Sequence, residues 1–378
     1  MKYRITFYTL LLFVFFVISL RSQDEGKDKE KQARHTFTML YQIGATSVKN
    51  QAKTGTCWDF ATQSFLESEL MRMGKGNYDL SEMFVVRCTY PLKAEKYVRY
   101  HGKYQFGEGG QAHDVLKVLD TYGAVPYSVY PGLEPGDSLY NNLEMDAVLK
   151  SVLKTIVGMK KITPHYKEIV NDICDIYLGK VPQKFEYDGK VYTPKTFGEG
   201  LGINTKDYVE ITSYTHHPFY SKFVLEVPDN WEDGRYYNVP LNDLIKIINN
   251  AVETGYTVAW DGAVGKNNFY RKRDYAVVPL DGDTSKTGPE KEKDVTQEMR
   301  QKAYDDYTTT DDHLMHITGM AKDQAGTVFY YTKNSWGTKD KKYGGFWYMS
   351  EPFVKLRTIA ILVHKNAIPK DIREKLGI

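Results

Sequence analysis

The sequence predicts an α+β fold, with a helical lobe packed against a mainly antiparallel β lobe. Three observations carry this. Helical periodicities fill the first half of the chain, and alternating runs fill the second. The two kinds of segment are not interleaved, which argues against a parallel sheet built from βαβ units. The chain has 378 residues, 42% of them hydrophobic, enough for two or three modest domains or a large one with insertions. Such a chain can bury a core, and disorder is not the expected state of the whole. Formal net charge is +2; Lys2, Arg4 and Arg21 are three of the 50 basic residues, and without them 47 face 48 acidic ones. A near-neutral body gives no reason to expect a nucleic-acid partner.

Residues 1–22 read as a secretory signal, with Lys2 and Arg4 before the apolar run Ile5 to Leu20. The run is slightly short for a comfortable membrane span. Ser19 and Ser22 are small, but no Ala-x-Ala cleavage site appears. A cleaved signal is favoured over a membrane anchor formed by residues 5–20, so an exported protein, periplasmic or secreted, is expected. Residues 23–36 form a charged linker, too short for a folded inhibitory segment.

A helical lobe is expected over residues 37–133. Ala61 and Phe65 lie four apart, as do Leu66 and Leu70, with Met73 three further on. This spacing predicts a buried helix with Cys57 in its first turn, ended by Gly74 and Gly76. Ser81 can cap a second helix carrying Met83, Phe84, Val85 and Val86. Gly107-Glu108-Gly109-Gly110-Gln111 interrupts, and adjacent glycines let another backbone approach closely. A third helix is predicted over Ala112 to Tyr122. Residues 134–207 read as an insertion, with helices near 140–157 and 163–178 and a polar, Tyr-rich stretch from Lys180 to Phe197.

A β-rich lobe is expected over residues 208–364. Strands are predicted at Tyr208–Ser213, Phe223–Val227 and Tyr256–Trp260, with an amphipathic helix over Leu241–Glu253. Residues 281–309 are charged and read as a surface excursion. Four strands follow, at His313–Gly319, Val328–Asn334, Gly345–Met349 and Leu356–Val363. Residues 365–378 form a tail.

The chemistry centres on Cys57. A helix N-terminus presents unpaired N–H groups and partial positive charge, which favour the nucleophilic thiolate. Gln51, six residues earlier, offers a side-chain N–H pair as an oxyanion donor. A lone cysteine at a helix start also reads as a buried structural residue. The site needs a base and an acceptor to orient it. His313 opens one late strand and Asn334 closes the next, so pairing of those strands brings them together. Trp336 is placed to shield their bond. Such pairing can lower a cysteine pKa to roughly 3–4. His316 competes with His313, but residues three apart in a strand face opposite sides. Cys88 and Cys174 are either bridged or two buried thiols. No metal-ligand spacing or phosphate-cradling loop appears, so no cofactor is expected.

Together these residues resemble the papain superfamily of cysteine peptidases, and more closely its bleomycin hydrolase/aminopeptidase C branch. The resemblance rests on Gln51, Thr56-Cys57-Trp58, Leu80-Ser81-Glu82, Gly109-Gly110-Gln111, Gly123-Ala124-Val125-Pro126, Tyr192-Thr193-Pro194 with Phe197, Trp260 with Gly262, Asp312-His313 and Asn334-Ser335-Trp336-Gly337. They run in the family's order from about residue 45 to 350. The resemblance implies a papain-like two-lobe fold whose second lobe is an antiparallel β-barrel-like unit. It implies Cys57 as nucleophile, His313 as general base and acid, Asn334 as its orienter and Gln51 as oxyanion donor. Gly109 and Gly110 would pair with the substrate backbone. Two features depart from the papain pattern. A cysteine usually stands three before the nucleophile, where this chain has Thr54. The histidine and asparagine usually follow the nucleophile by about 130–150 residues, whereas here the gaps are 256 and 277. The branch is largely intracellular and often hexameric; this chain is shorter and carries an export signal, so homo-oligomerisation stays open.

The activity implied is hydrolysis of peptide bonds through a thioester acyl-enzyme, most simply by an aminopeptidase. In the resembling branch the C-terminus lies in the cleft, so Ile378 would offer its terminal carboxylate to the substrate's α-ammonium. Trimming residues 373–378 would then shift cleavage from N-terminal to internal bonds. A papain-like endopeptidase and a catalytically dead exported binding protein on this fold are the alternatives.

Overall fold

The computed structural model describes residues 35–133, 136–265, 268–281 and 289–378. The expected signal at 1–22 and the linker up to residue 34 lie outside the described residues. Among the described residues no helix is long and apolar enough to cross a membrane.

The first lobe is helical. Helix α1 spans Cys57–Arg72, α2 Glu82–Arg99, α3 Ala112–Tyr122, α4 Leu143–Val157, α5 Tyr166–Leu178 and α6 Pro194–Leu201. Ser81 caps α2 as its position suggests, its hydroxyl accepting from the Phe84 N–H at 3.1 Å. The expected insertion is not a separate body. Met145, Leu149 and Cys174 from α4 and α5 share one core with Phe65 and Phe84. The polar stretch from Lys180 to Phe197 holds a short hairpin, β2 Phe185–Tyr187 with β3 Lys190–Tyr192, and the start of α6.

The second lobe is one large sheet. Its strands are β1 Phe37–Gln42, β4 Tyr208–Thr212, β5 Lys222–Val224, β6 Arg235–Asn238, β7 Val258–Gly262, β8 Phe269–Tyr270, β9 Tyr275–Ala276, β10 His313–Asp323, β11 Val328–Lys333, β12 Phe346–Ser350 and β13 Thr358–His364. They pair in the order β5-β6-β4-β13-β7-β10-β11-β12-β9-β8, with β1 added to β10. Most pairs are antiparallel; β4–β6 and β9–β12 are parallel. Among the described residues the pairing path stays open, so the lobe is an open sheet and not a closed barrel. Strand β1 belongs to this lobe although it precedes the helical lobe in sequence. The fold also begins earlier than Phe37: His35 is buried, with its ring nitrogens 2.7 and 3.0 Å from Glu290 and Asp323.

Helix α7, Leu241–Glu253, falls where its amphipathic pattern predicts. The charged excursion at 281–309 is only partly on the surface. It contains α8, Gln297–Asp305, whose Arg300 is fully buried. That guanidinium donates to Ser213 O at 2.7 Å and lies 4.5 Å from the Tyr214 ring centre. A further short helix, α9 Glu351–Arg357, precedes β13.

The tail corrects an expectation. Residues Lys370–Leu376 form helix α10, whose Ile372 and Leu376 are buried in the same core as Leu244 and Ile248 of α7. The Asn250 amide donates to Ala367 O at 2.7 Å. Four buried apolar residues, Ala367, Ile368, Ile372 and Leu376, hold the segment there. Ile378 follows on the outside of this helix and does not line the groove that contains Cys57. Removal of residues 373–378 is therefore expected to lower stability, measured by denaturant unfolding, and to leave the cleavage pattern on a peptide ladder as it was. Ile372→Ala should cost about 2–5 kcal/mol in the same unfolding experiment.

Candidate active site

Cys57 is the first residue of α1, with Thr56 at the N-cap position. The preceding loop is held by its own polar groups. Gln51 Nε2 donates to Thr54 O at 2.8 Å, and Thr54 Oγ1 stands 2.7 Å from Thr56 Oγ1 and 2.9 Å from Gln51 O. Gln51 is tied to the other lobe as well. Its N–H donates to Ser335 O, and the Ser335 hydroxyl donates to its Oε1. Gln51 Nε2 keeps one hydrogen beyond the Thr54 bond, and the residue lines the groove with Cys57.

The β lobe brings the partners. His313 on β10 and Asn334, just after β11, are both buried, and His313 Nε2 lies 2.8 Å from Asn334 Oδ1. The amide oxygen can only accept, so Nε2 carries the hydrogen and Nδ1 is left for another partner. The Ser335 N–H donates to the same Oδ1 at 2.7 Å and fixes the amide's orientation. Trp336 stacks on the imidazole, with ring centres 4.7 Å apart, and Arg271 lies 4.7 Å from the indole on another contact. Cys57, His313, Gln51 and Trp336 line one groove. The backbone of Leu314, next after His313, acts on the Cys57 sulfur in favour of its charged form. His316 points elsewhere: its Nδ1 is 2.8 Å from Ser64 Oγ on α1.

Gly109 lines the groove on its helical side, and Gly110 follows it in a buried position. A Cβ on Gly110 would meet Asp114 Oδ2 at 2.7 Å and the Trp58 ring at 2.9 Å, and one on Gly109 would collide with the Asp229 carboxylate. Glu108 between them and Gly107 ties this loop to the nucleophile: its carboxylate accepts from the Gly55 N–H at 2.5 Å, and its carbonyl from Trp58 Nε1 at 2.9 Å. Asp229, Arg271 and Glu108 were not singled out from sequence. Only the fold brings them to the site.

The electrostatics differ from the sequence expectation of a strongly acidified thiol. Burial pushes the Cys57 thiol up to about 12; the Leu314 backbone opposes this, and the carboxylates of Asp311, Asp261 and Asp229 reinforce it. Burial also depresses His313 to about 4, against the Asn334 hydrogen bond and with help from the Arg271 charge. All three cysteines are free thiols, so Cys88 and Cys174 are not bridged.

Among the described residues, one group has metal-ligand geometry: His216, His217 and Glu226, with ligand atoms within 4.8 Å of one another. The two histidines lie on the β4–β5 connection and Glu226 just after β5, and the group does not line the Cys57 groove.

A helical lobe and an antiparallel lobe meeting at a cysteine, with a histidine–asparagine pair across the groove, define a papain-superfamily cysteine peptidase. The chain belongs to the Peptidase C1-like family, whose profile matches residues 17–377. It is similar to aminopeptidase G of Lactobacillus delbrueckii subsp. lactis, at 25% identity over 91% of this chain and 86% of that protein. It is also similar to aminopeptidase C of Lactococcus lactis subsp. cremoris, at 23% identity over 86% of this chain and 82% of that one. The crystal structure of PepW from Lactobacillus rhamnosis shares the fold, with a TM-score of 0.72 at 18% identity over 93% of this chain and 86% of that one.

Because Asp311 is the first of the carboxylates acting on the sulfur, Asp311→Asn should lower the thiol pKa. The replacement keeps an acceptor for Gln111 Nε2, 2.6 Å away. The pH profile of iodoacetamide alkylation at Cys57 is expected to move to lower pH; an unmoved profile would show that this carboxylate does not act on the sulfur.

Proposed function

We propose that this peptidase is an aminopeptidase that cleaves peptides through a thioester acyl-enzyme on Cys57. One observation carries the reading: Cys57 at the start of α1 shares a groove with His313, whose Nε2–H is committed to Asn334. With that nitrogen occupied, Nδ1 is the atom free to exchange a proton with sulfur. The field of the free groove favours the neutral pair. Attack on the scissile carbonyl then moves the thiol proton to His313 as the carbon–sulfur bond forms. The Gln51 side-chain N–H and the Cys57 backbone N–H stabilise the oxyanion. His313 returns the proton to the departing amine, the C–N bond breaks and the thioester remains. Water, deprotonated by the same nitrogen, releases the acid and restores the thiol. Gly109 and Gly110 hold the substrate backbone, and Trp336 keeps water from the His313–Asn334 bond.

The names of the similar aminopeptidases support an exopeptidase over an endopeptidase. The proposal also places the enzyme outside the cytoplasm, on the composition of residues 1–22 alone.

Amino-acid amides should be turned over with a free amine and much more slowly when acetylated. Cys57→Ala should abolish turnover, and full activity in that variant would refute the mechanism. Gln51→Ala should retain a residue of activity, with kcat lower by about 100- to 1000-fold.

A further inference from the structure

The groove that holds Cys57 is bridged beside Gly109 by a loop from the β lobe. Residues 225–234 join β5 to β6 and cross to the helical lobe. Side chains pin the crossing. Trp231 is buried, and its Nε1–H donates to Asp114 Oδ2 of α3 at 2.8 Å. Lys117 of α3 pairs with Glu232, Lys96 of α2 pairs with Asp233 at 2.6 Å, and the Tyr104 hydroxyl donates to that same aspartate. Asn230 sets the loop's shape, its amide donating to Leu225 O and Gly234 O while its oxygen accepts from the Gly234 N–H.

Asp229 is not one of these pins. Its carboxylate lines the groove together with Cys57, Gly109 and His313. Gln105 Nε2 donates to one oxygen at 2.9 Å, and the other stands directly over Gly109. No cationic side chain among the described residues makes an ion pair with it. Lys93 acts on it through space, with its Nζ committed to the carbonyls of Gly107 and Gly109. Asp261, 3% exposed, and Asp311 stand beside each other nearby, and burial raises both carboxyls so that the pair holds a proton between them. Among the described residues no cation pairs directly with Asp229, so an ammonium group is the complement its carboxylate would take.

A peptide whose backbone continued past Gly109 would run into the Asp229 carboxylate. One that ends there in an ammonium group would meet it favourably.

We propose that Asp229 receives the substrate's α-ammonium, and that the 225–234 loop limits the groove to one residue before the scissile bond. This rests on the aminopeptidase reading and supplies its physical basis. The chain's own C-terminus, docked against α7, does not reach that place.

The test compares leucine amide, N-acetyl-leucine amide and Nα-acetyl-lysine amide on the full chain and on Asp229→Asn, an isosteric change in an ordered loop. For leucine amide, kcat/KM should fall about tenfold or more, chiefly through KM. The loss on N-acetyl-leucine amide should be smaller, so the preference for a free amine shrinks. Asp229→Glu, which keeps the charge, should restore part of it. A wild-type enzyme indifferent to acetylation would overturn the aminopeptidase reading itself. A wild-type preference for the free amine that Asp229→Asn retains in full would overturn the assignment to Asp229 alone. A loss confined to the acetyl-lysine substrate would also overturn it, by reassigning the carboxylate to a side-chain cation.

Discussion

The site depends on how α1 is wedged between the lobes. Trp58 to Leu70 are all buried, although many of them are polar. Buried polar groups must find partners; several of these find them on both sides of the helix, while Asp59 finds none among the described residues. Ser64 meets His316 and Lys333 from the sheet, and Ser68 donates to Gly44 O. Glu67 accepts from Thr46 and from the Leu80 N–H, and Tyr208 donates to Glu69. Sliding or rotating α1 against the sheet would break several of these bonds together, each costing about 1–3 kcal/mol once its partner is left unsatisfied. The register between α1 and β10 is thereby set, and with it the meeting of Cys57 and His313.

Much of this was legible in the sequence. The bounds of α3 and α7 follow from clean periodicity and glycine or loop punctuation. The catalytic candidates Cys57, His313, Asn334 and Gln51 converge as their order along the chain suggests. What escaped reading shares one trait: its reason lies far away in sequence. Helix α10 has only two buried apolar residues in its seven, too few for a periodic signal, and its docking surface is built by α7. Arg300 reads as a surface charge until Ser213 and Tyr214 are folded around it. Strand β1 reads as a lead-in, since its partner β10 lies nearly 280 residues on.

The groove's charge pattern gives the mechanism a direction. Burial, reinforced by nearby aspartates, keeps the resting thiol protonated, and burial, helped by Arg271 beyond Trp336, keeps the imidazole neutral. A positive group bound among those carboxylates would relax the first effect, because it offsets the field that opposes a thiolate. Substrate binding and nucleophile activation would then be coupled through electrostatics, without any movement of the lobes.

The unbridged sulfurs carry a last consequence. Cys88 and Cys174 lie in one apolar core, and burial raises both thiols to about 12, so neither presents a reactive thiolate at neutral pH. No covalent staple joins any two parts of this chain. Its integrity comes from packing, the continuous sheet and the loop that crosses between lobes. A reductant such as glutathione therefore has no bridge to open in the folded state.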